Sequence, residues 1–409
     1  MEINTVYVVG AGYMGNGIAE MAALAGYRVF MQDLTDERLE RGMVAVRASL
    51  GRFLSRGKIT AEAHTAALAA INPTTSLEAA SEADLAVEAV SEDLDLKRRV
   101  FAHLDELCPS HALLATNTSA IPISSIAAAT TRPEQIVGTH FFGPVPVMRL
   151  CEVLRGLRTS DDSFEAADAW ARSLGKETVQ VHRDHAGFIA NRLNMPATLE
   201  MVRLVEEGAA PAEIDRAANF GLEGRVGPLE ILDNAGLDIT ISAAKAIYDD
   251  TGEPKFFPPP LLRRMAAAGF LGRKTGRGFY DYSSGAKQEY DLVKNVSGGG
   301  ASGLLPDAGG DPAQLTFRIL LPTVVEAVLM VQTGVAGVDD IDRATRLGFN
   351  FPMGPLEMAD NTGLDTILNT ARSIYNQTGD SKYFPPPLLQ RMVDAGLTGR
   401  AAGRGFYVY

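Results

Sequence analysis

An α/β domain with a largely parallel sheet, followed by two tandem copies of one all-α domain, is the fold class that this 409-residue sequence predicts. Three observations carry it. Short β-rich apolar runs alternate with helical stretches through the first part of the chain, as strands joined by crossover helices do. After Asp184 the β-branched runs thin out, and helices with loops take over. In that second part, four motifs recur at one fixed distance.

Thr5–Val9 is a continuous β-rich apolar run, the pattern of a strand buried on both faces. It leads into the turn GAGYMG at 10–15 and a helical run at 16–25, and a second apolar run at 27–31 ends at Asp33. Further runs stand at 85–90, 113–116, 136–141 and 147–153. The repeat then begins. IDRA occurs at 214–217 and 341–344, GPLE at 227–230 and 354–357, FPPPLL at 257–262 and 384–389, and GRGFY at 276–280 and 403–407. The first pair is offset by 341 − 214 = 127, and the other three pairs give the same value. A constant offset over four separated motifs means duplication of one domain. The predicted organisation is therefore an α/β domain at 1–184, a helical domain at 185–282, a linker at 283–312 and the second helical copy at 313–409. The linker contains SGGGASG at 297–303 and PDAGGDP at 306–312, a flexible composition.

Composition removes several function classes. Lys plus Arg is 38 and Asp plus Glu is 50, a formal net charge of −12 with no basic run. That argues against a nucleic-acid partner, because phosphate neutralisation needs clustered cations. It does not argue against a small anionic ligand. Hydrophobic residues at 46% and charged residues at 22% exclude general disorder. The two cysteines, Cys108 and Cys151, show no CxxC spacing, which fits a reducing compartment and excludes a disulfide framework or a cysteine-rich zinc site. No metal site is expected. No apolar stretch approaches the length of a membrane span, and the N-terminus enters a strand at once, which leaves no room for a signal or transit peptide. The expected location is the cytoplasm.

The glycine turn is informative because of its context. Gly10, Gly12 and Gly15 follow a strand and open a helix, and Asp33 closes the next strand 33 − 15 = 18 residues on. Gly10 permits the tight turn, Gly12 lets the backbone approach a pyrophosphate, and Gly15 allows close helix–strand packing. The helix N-terminus offers free amides and a positive dipole end to the anion. Asp33 accepts from ribose hydroxyls and repels a 2′-phosphate, so NAD is favoured over NADP. This is a Rossmann-type dinucleotide site.

Of six histidines, His64, His103 and His111 lie in polar helical surroundings and are expected to be solvated, while His182 and His185 sit at the seam between domains, where packing roles fit. His140 is different. If the chain reverses around Pro146, His140 and Glu152 stand six residues on either side of the turn. Paired strands would bring their side chains about 5 Å apart. A carboxylate beside an imidazole fixes its tautomer and stabilises the imidazolium, as a general base near neutral pH requires. A purely structural buried pair is the alternative, and the adjacent dinucleotide site weighs against it. The segment TNTS at 116–119 ends a strand at the carboxyl edge of the sheet, where ligands of such folds bind; it also reads as simple turn chemistry.

Together these segments resemble the L-3-hydroxyacyl-CoA dehydrogenase family. The resemblance is carried by GAGYMG at 10–15, VEAVSE at 87–92, NTS at 117–119, HFFGPVPVM at 140–148, GFIANR at 187–192, GPLE at 227–230 and KTGRGFY at 274–280, in the family's order over residues 1–282. It implies reversible oxidation of a 3-hydroxyacyl-CoA by NAD to the 3-oxoacyl-CoA, in the chemistry of fatty-acid β-oxidation. By the same resemblance His140 is the base and Glu152 orients it, and Ser119 and Asn191 hydrogen-bond substrate oxygens. Glu92, Lys97, Ser119 and Lys274 contact the cofactor together with Gly10, Gly12, Tyr13, Met14, Gly15 and Asp33. Ser49 and Arg56 contact coenzyme A, and at Arg56 the family commonly has lysine. One departure stands out: the family usually reads HFFNP, and here the fourth residue is Gly143. The resemblance then implies a lost polar contact and gained space, hence an acyl group bulkier than a short straight chain, branched or cyclic.

Applying the same offset, Asn191 falls on Arg318 and Lys274 on Ala401, so the second copy keeps its packing motifs and loses the chemistry. It is expected to be structural, forming an internal pseudo-dimer with the first copy, with further homo-oligomerisation open. Two other readings remain: a dehydrogenase of a non-CoA hydroxy acid, against which Ser49 and Arg56 speak, and a non-catalytic dinucleotide-binding protein, against which the intact His140, Glu152, Ser119 and Asn191 speak.

Overall fold

The structure, a computed structural model, describes residues 2–219, 226–290, 292 and 312–409. The glycine-rich stretch at 297–303 lies outside the described residues. Two compact units emerge: Met1–Ala190 with Gly334–Gly354, and Asn191–Thr333 with Pro355–Tyr409.

The first unit is built on an eight-stranded sheet of order β3-β2-β1-β4-β5-β6-β7-β8. Its strands are β1 (Thr5–Val9), β2 (Arg28–Gln32), β3 (Ile71–Thr74), β4 (Leu85–Glu88), β5 (Leu113–Thr116), β6 (Ile136–Phe141), β7 (Leu150–Arg155) and β8 (Glu177–Val181). All neighbours run parallel except β6 and β7, which pair antiparallel. Two strands were not legible in the sequence. In β3 only Ile71 is buried and Pro73 is tolerated because the strand lies at an edge; β8, at the other edge, mixes Glu177 and Gln180 into its five residues. The strand expected from residue 147 starts at Leu150, because the Pro144 carbonyl accepts the amides of Val147 and Met148 at 2.9 Å and closes a turn there. Helices α1 (Tyr13–Leu24), α2 (Asp36–Ser55), α3 (Ala61–Ala70), α4 (Leu94–Leu107), α5 (Ile123–Ala127) and α6 (Asp161–Ser173) connect the strands. Val6, Val8, Ile18, Val29, Met31 and Leu39 belong to the core between sheet and helices.

The second unit consists of α7 (Ala190–Glu206, from Asn191), α8 (Pro211–Ala218), α9 (Pro228–Ala235), α10 (Leu237–Thr251), α11 (Pro260–Ala267), α12 (Pro312–Thr333) and three helices of the second copy, Pro355–Thr362, Leu364–Thr378 and Pro387–Asp394. The repeated motifs are halves of close contacts. Asp233 accepts the amides of Phe279 and Tyr280 at 2.9 Å, and Asp360 accepts those of Phe406 and Tyr407 at 3.0 and 2.9 Å. A Cβ on Gly278 or Gly405 would lie 1.9 or 2.0 Å from the same carboxylates, so the second glycine of each GRGFY cannot carry a side chain.

Buried charges in this unit are arranged reciprocally. Glu326 on α12 receives Arg192 and Lys255, each at 2.5 Å, and Glu200 on α7 receives Arg318 at 3.0 Å and Lys382 at 3.3 Å. These partners correct the register of the repeat in its first helix. Arg192 matches Arg318 and Glu200 matches Glu326 at an offset of 318 − 192 = 126, whereas Lys255 matches Lys382 at 382 − 255 = 127. Asn191 therefore corresponds to Phe317, not to Arg318. The expectation that no segment nears membrane length also needs correction. Leu315–Thr333 on α12 spans 19 residues with a mean hydropathy of 1.6, and its apolar character has a local cause, since 61% of it is buried within the protein.

Residues 334–354 fold with the sheet, although the sequence assigns them to the second helical copy. Helix α13 (Val338–Phe349) buries Ile341, Ala344 and Thr345 along one stripe. The Val335 carbonyl accepts the His182 amide at 2.8 Å, and Arg343 donates to the Thr178 carbonyl at 3.1 Å. The repeat boundary follows ancestry and the compact unit follows packing.

Replacing Glu326 by leucine leaves Arg192 and Lys255 as buried cations without their acid, and should cost about 3–5 kcal/mol in urea unfolding. Asp249→Ala, which removes the exposed pair with Lys245, should cost less than about 1 kcal/mol.

Candidate active site

Buried polar residues stand at the carboxyl ends of β4, β5 and β6: Glu88, Thr116, Asn117 and His140. Gly10 has φ +101°, and a Cβ there would lie 2.7 Å from the Ala89 carbonyl oxygen. A Cβ on Gly15 would meet the Gly10 oxygen at 1.8 Å, while one on Gly12 would meet nothing within 4 Å. The first and third glycines are thus required by the fold, and the second leaves open space for a ligand. Gly12 stands at the N-cap of α1 and brings no side-chain acceptor, so the first-turn amides face outward for an anion. Asp33 is held beside them, accepting the Ala11 amide at 2.9 Å and the Leu34 amide at 2.7 Å.

A cleft of about 780 Å³ opens along this turn. Sequence reading missed part of its wall: Arg38 and Arg41 from α2, and Arg99 and His103 from α4. The available signal was their spacing of three and four residues, which puts each pair on one helix face. His103, expected to be merely solvated, lines this cleft.

At the ends of β4 and β5 the charges are interlocked. Lys97 is buried and donates to Glu88 at 2.7 Å while pairing with Glu92 at 3.2 Å. Glu92 also accepts from the Thr118 hydroxyl at 2.6 Å and from the amides of Ser119 and Ala120 at 2.9 and 3.0 Å. Burial pushes the Glu92 carboxyl up, but the Lys97 charge and these hydrogen bonds outweigh it and hold it below the usual carboxylate value. Lys97 thus serves the acids around it, and Glu92 shapes the 118–120 turn that leaves Ser119 exposed.

β6 and β7 pair with His140 opposite Glu152, the register that reversal around Pro146 requires. The His140 Nδ1 lies 2.6 Å from Glu152 Oε2, and Glu152 Oε1 accepts the amides of Ile189 and Ala190 at 3.1 and 2.8 Å. His140 is 4% exposed and Glu152 fully buried. The Phe142 and Phe188 rings flank the imidazole at 4.6 and 5.6 Å between centroids. With Nδ1 committed to the carboxylate, Nε2 is the nitrogen left for proton transfer.

The turn between the two strands rests on α1. A Cβ on Gly143 would lie 2.5 Å from the Tyr13 ring and 3.0 Å from its hydroxyl, so the space expected beside Gly143 is taken by Tyr13. One turn further along α1, a Cβ on Gly17 would meet Val145 at 2.9 Å. Lys176 donates to the carbonyls of Val145 and Met148 at 2.5 and 2.9 Å. Beneath the turn lies Glu20, where burial raises the carboxyl to about 7 against a hydrogen bond from Ser49. The Ser49 hydroxyl is donated to Glu20 at 2.8 Å inside the core, and Arg56 caps the C-terminus of α2 on the surface.

Asn191 and Lys274 belong to the second unit. There Lys274 pairs with Asp238 at 2.5 Å, and Asn191 is half-buried near the start of α7.

Known proteins are similar to this chain along its length. The family model for the NAD-binding domain of 3-hydroxyacyl-CoA dehydrogenase matches residues 5–185, and that for its C-terminal domain matches twice, at 187–282 and 315–409. This chain belongs to the 3-hydroxyacyl-CoA dehydrogenase family. It is 42% identical to a probable 3-hydroxybutyryl-CoA dehydrogenase of Bacillus subtilis over 69% of this chain and 98% of that one. It is 33% identical to the 3-hydroxyadipyl-CoA dehydrogenase of Escherichia coli over 96% of this chain and 98% of that one. Among solved structures, a 3-hydroxybutyryl-CoA dehydrogenase from Escherichia coli K12 superposes with a TM-score of 0.86 at 32% identity, covering 97% and 99% of the two chains. The dehydrogenase is an NAD-dependent oxidoreductase. Its residues fit the cofactor: the open space at Gly12, the uncapped first turn of α1 and the Asp33 carboxylate supply the places a dinucleotide needs.

Two outcomes follow from this dehydrogenase's turn. Gly143→Asn should lower kcat/KM by about tenfold or more, and Tyr13→Ala in the same chain should recover part of the loss, read as a double-mutant cycle. Glu20 keeps its proton in the folded state up to about pH 7, whereas the unfolded chain releases it near 4.5. Its contribution to stability therefore falls as pH rises through that window, and Glu20→Gln should flatten the fall of Tm across it.

Proposed function

We propose that the dehydrogenase oxidises the 3-hydroxyl of an L-3-hydroxyacyl-CoA with His140 as general base. The overall change balances as 3-hydroxyacyl-CoA plus NAD⁺ giving 3-oxoacyl-CoA, NADH and a proton. NAD, when bound, supplies the hydride acceptor. The protein's own part is to take the hydroxyl proton at His140 Nε2, with the imidazolium stabilised by Glu152. In the reverse direction the same nitrogen returns the proton. Ser119 and Asn191 take the role of donors to the substrate oxygens, Asp33 holds the ribose, and Glu92 and Lys274 act toward the cofactor. The single observation that carries this reading is the 2.6 Å contact between His140 and the buried Glu152, whose second oxygen is held by two amides.

The substrate is a linear acyl thioester, of the kind named in the 3-hydroxybutyryl and 3-hydroxyadipyl relatives. The Tyr13 ring beside Gly143 supports this over a branched or cyclic acyl group, since it fills the space that a bulkier group would use. Arg56 remains a surface cation for the coenzyme A phosphates, while Ser49 acts from within the core through Glu20. The two helical copies form an internal pseudo-dimer, a reading supported by the reciprocal sets around Glu326 and Glu200.

An NADH-linked assay over a panel of 3-oxoacyl-CoAs tests the reading. Linear substrates should exceed branched and cyclic ones in kcat/KM. His140→Ala should lower kcat by about 10²–10⁴ while NADH binding persists. Turnover confined to hydroxy acids without coenzyme A, or an unaffected His140→Ala, would overturn it.

A further inference from the structure

The second helical copy has so far a framework role, yet α13 lies against the sheet directly behind the reacting pair. Gly348, in the last turn of α13, marks the approach. A Cβ there would stand 3.1 Å from Leu150 Cδ2, 3.5 Å from the Ala190 Cβ and 3.5 Å from Phe142 Cε1. Each of these three neighbours bears on the pair by its own route. Phe142 packs its ring on His140 at 4.6 Å. Ala190 donates its amide to Glu152 at 2.8 Å. Leu150 precedes Glu152 by two residues on β7, so the two side chains share a face.

We propose that the second copy positions the catalytic pair through α13, with Gly348 as the positioning residue. The proposal rests on reading His140 and Glu152 as the reacting groups, and adds that the duplicate belongs to the catalytic unit. A glycine inside a helix is a poorer helix former than alanine; at 348 the space beyond the Cβ position is already taken by Leu150, Ala190 and Phe142, so a side chain larger than a methyl has to displace them. Position 221, one repeat earlier, is also glycine. α13 is itself anchored, by Val335 to the His182 amide and by Arg343 to the Thr178 carbonyl on β8. These ties, together with the packing of α13 on β7 and β8, resist a retreat of the helix as a body from an added side chain. The displacement goes instead to Phe142, Leu150 and Ala190, and through them to the imidazole and its carboxylate.

The test is made in the full-length chain. Gly348→Ala adds one carbon against a flexible leucine methyl and should keep kcat within about twofold. Gly348→Leu should lower kcat by about tenfold to a hundredfold, the scale of a displacement near 1 Å at reacting groups, with the dissociation constant for NADH little changed. The pH dependence of kcat/KM should shift with it, because the Ala190 hydrogen bond to Glu152 moves. Adding Leu150→Ala to Gly348→Leu should restore activity in part. Unchanged kcat in Gly348→Leu overturns the proposal, as does a loss that NADH binding shares in full and Leu150→Ala fails to relieve. A wild-type chain inert toward every 3-hydroxyacyl-CoA overturns the underlying reading and this proposal together.

Discussion

Glu152 has no exposure to solvent, and a carboxylate in that position is tolerated only when its oxygens are answered by donors. Three donors answer them: the imidazole of His140 from the neighbouring strand, and the amides of Ile189 and Ala190. Satisfying this one group therefore ties the neighbouring strands β6 and β7 to the segment at 189–190, which lies 37 residues and more beyond Glu152. Removing any donor leaves part of a buried acid unpaired, which costs more than the same contact would at the surface. The register of the β6–β7 pair, the orientation of the imidazole and the placement of the chain before Asn191 are three consequences of the same constraint.

The turn that joins these strands is fitted to the dinucleotide helix side chain by side chain. Gly143 exists with Tyr13 above it, and Gly17 with Val145 against it. Lys176 ties the carbonyls of Val145 and Met148, so the turn is held by the residue before β8 as well. At 143 and 17 the missing side chain leaves room for a neighbour, the Tyr13 ring in one case and Val145 in the other.

Duplication has had two physical outcomes. Within the second unit, the buried acids of α7 and α12 each receive an arginine from the other helix and a lysine of the opposite copy. That reciprocity is what a pair of equivalent surfaces produces. Residues 334–354, by contrast, bury the stripe of α13 against β7 and β8, as only one copy can against a single sheet.

Much was legible in the residues alone. Strong β-branched runs, glycines at fixed positions and motifs repeated at a distance of 127 are local or periodic signals, and they determined the α/β domain, the dinucleotide turn, the duplication and the pairing of His140 with Glu152 across a turn. Edge strands β3 and β8 escaped because half-buried edges need no apolar run. Which side chain fills a gap, which cation is already paired and which helix packs on which face depend on residues distant in sequence. Only the tertiary structure decided that Tyr13 covers Gly143, that Lys97 is enclosed by Glu88 and Glu92, that Ser49 turns inward to Glu20, and that α13 leaves its own copy to pack on β7 and β8. Periodicity reports the face a segment buries; the partner for that face is chosen by packing in three dimensions, where every buried charge and every apolar stripe must find its complement at once.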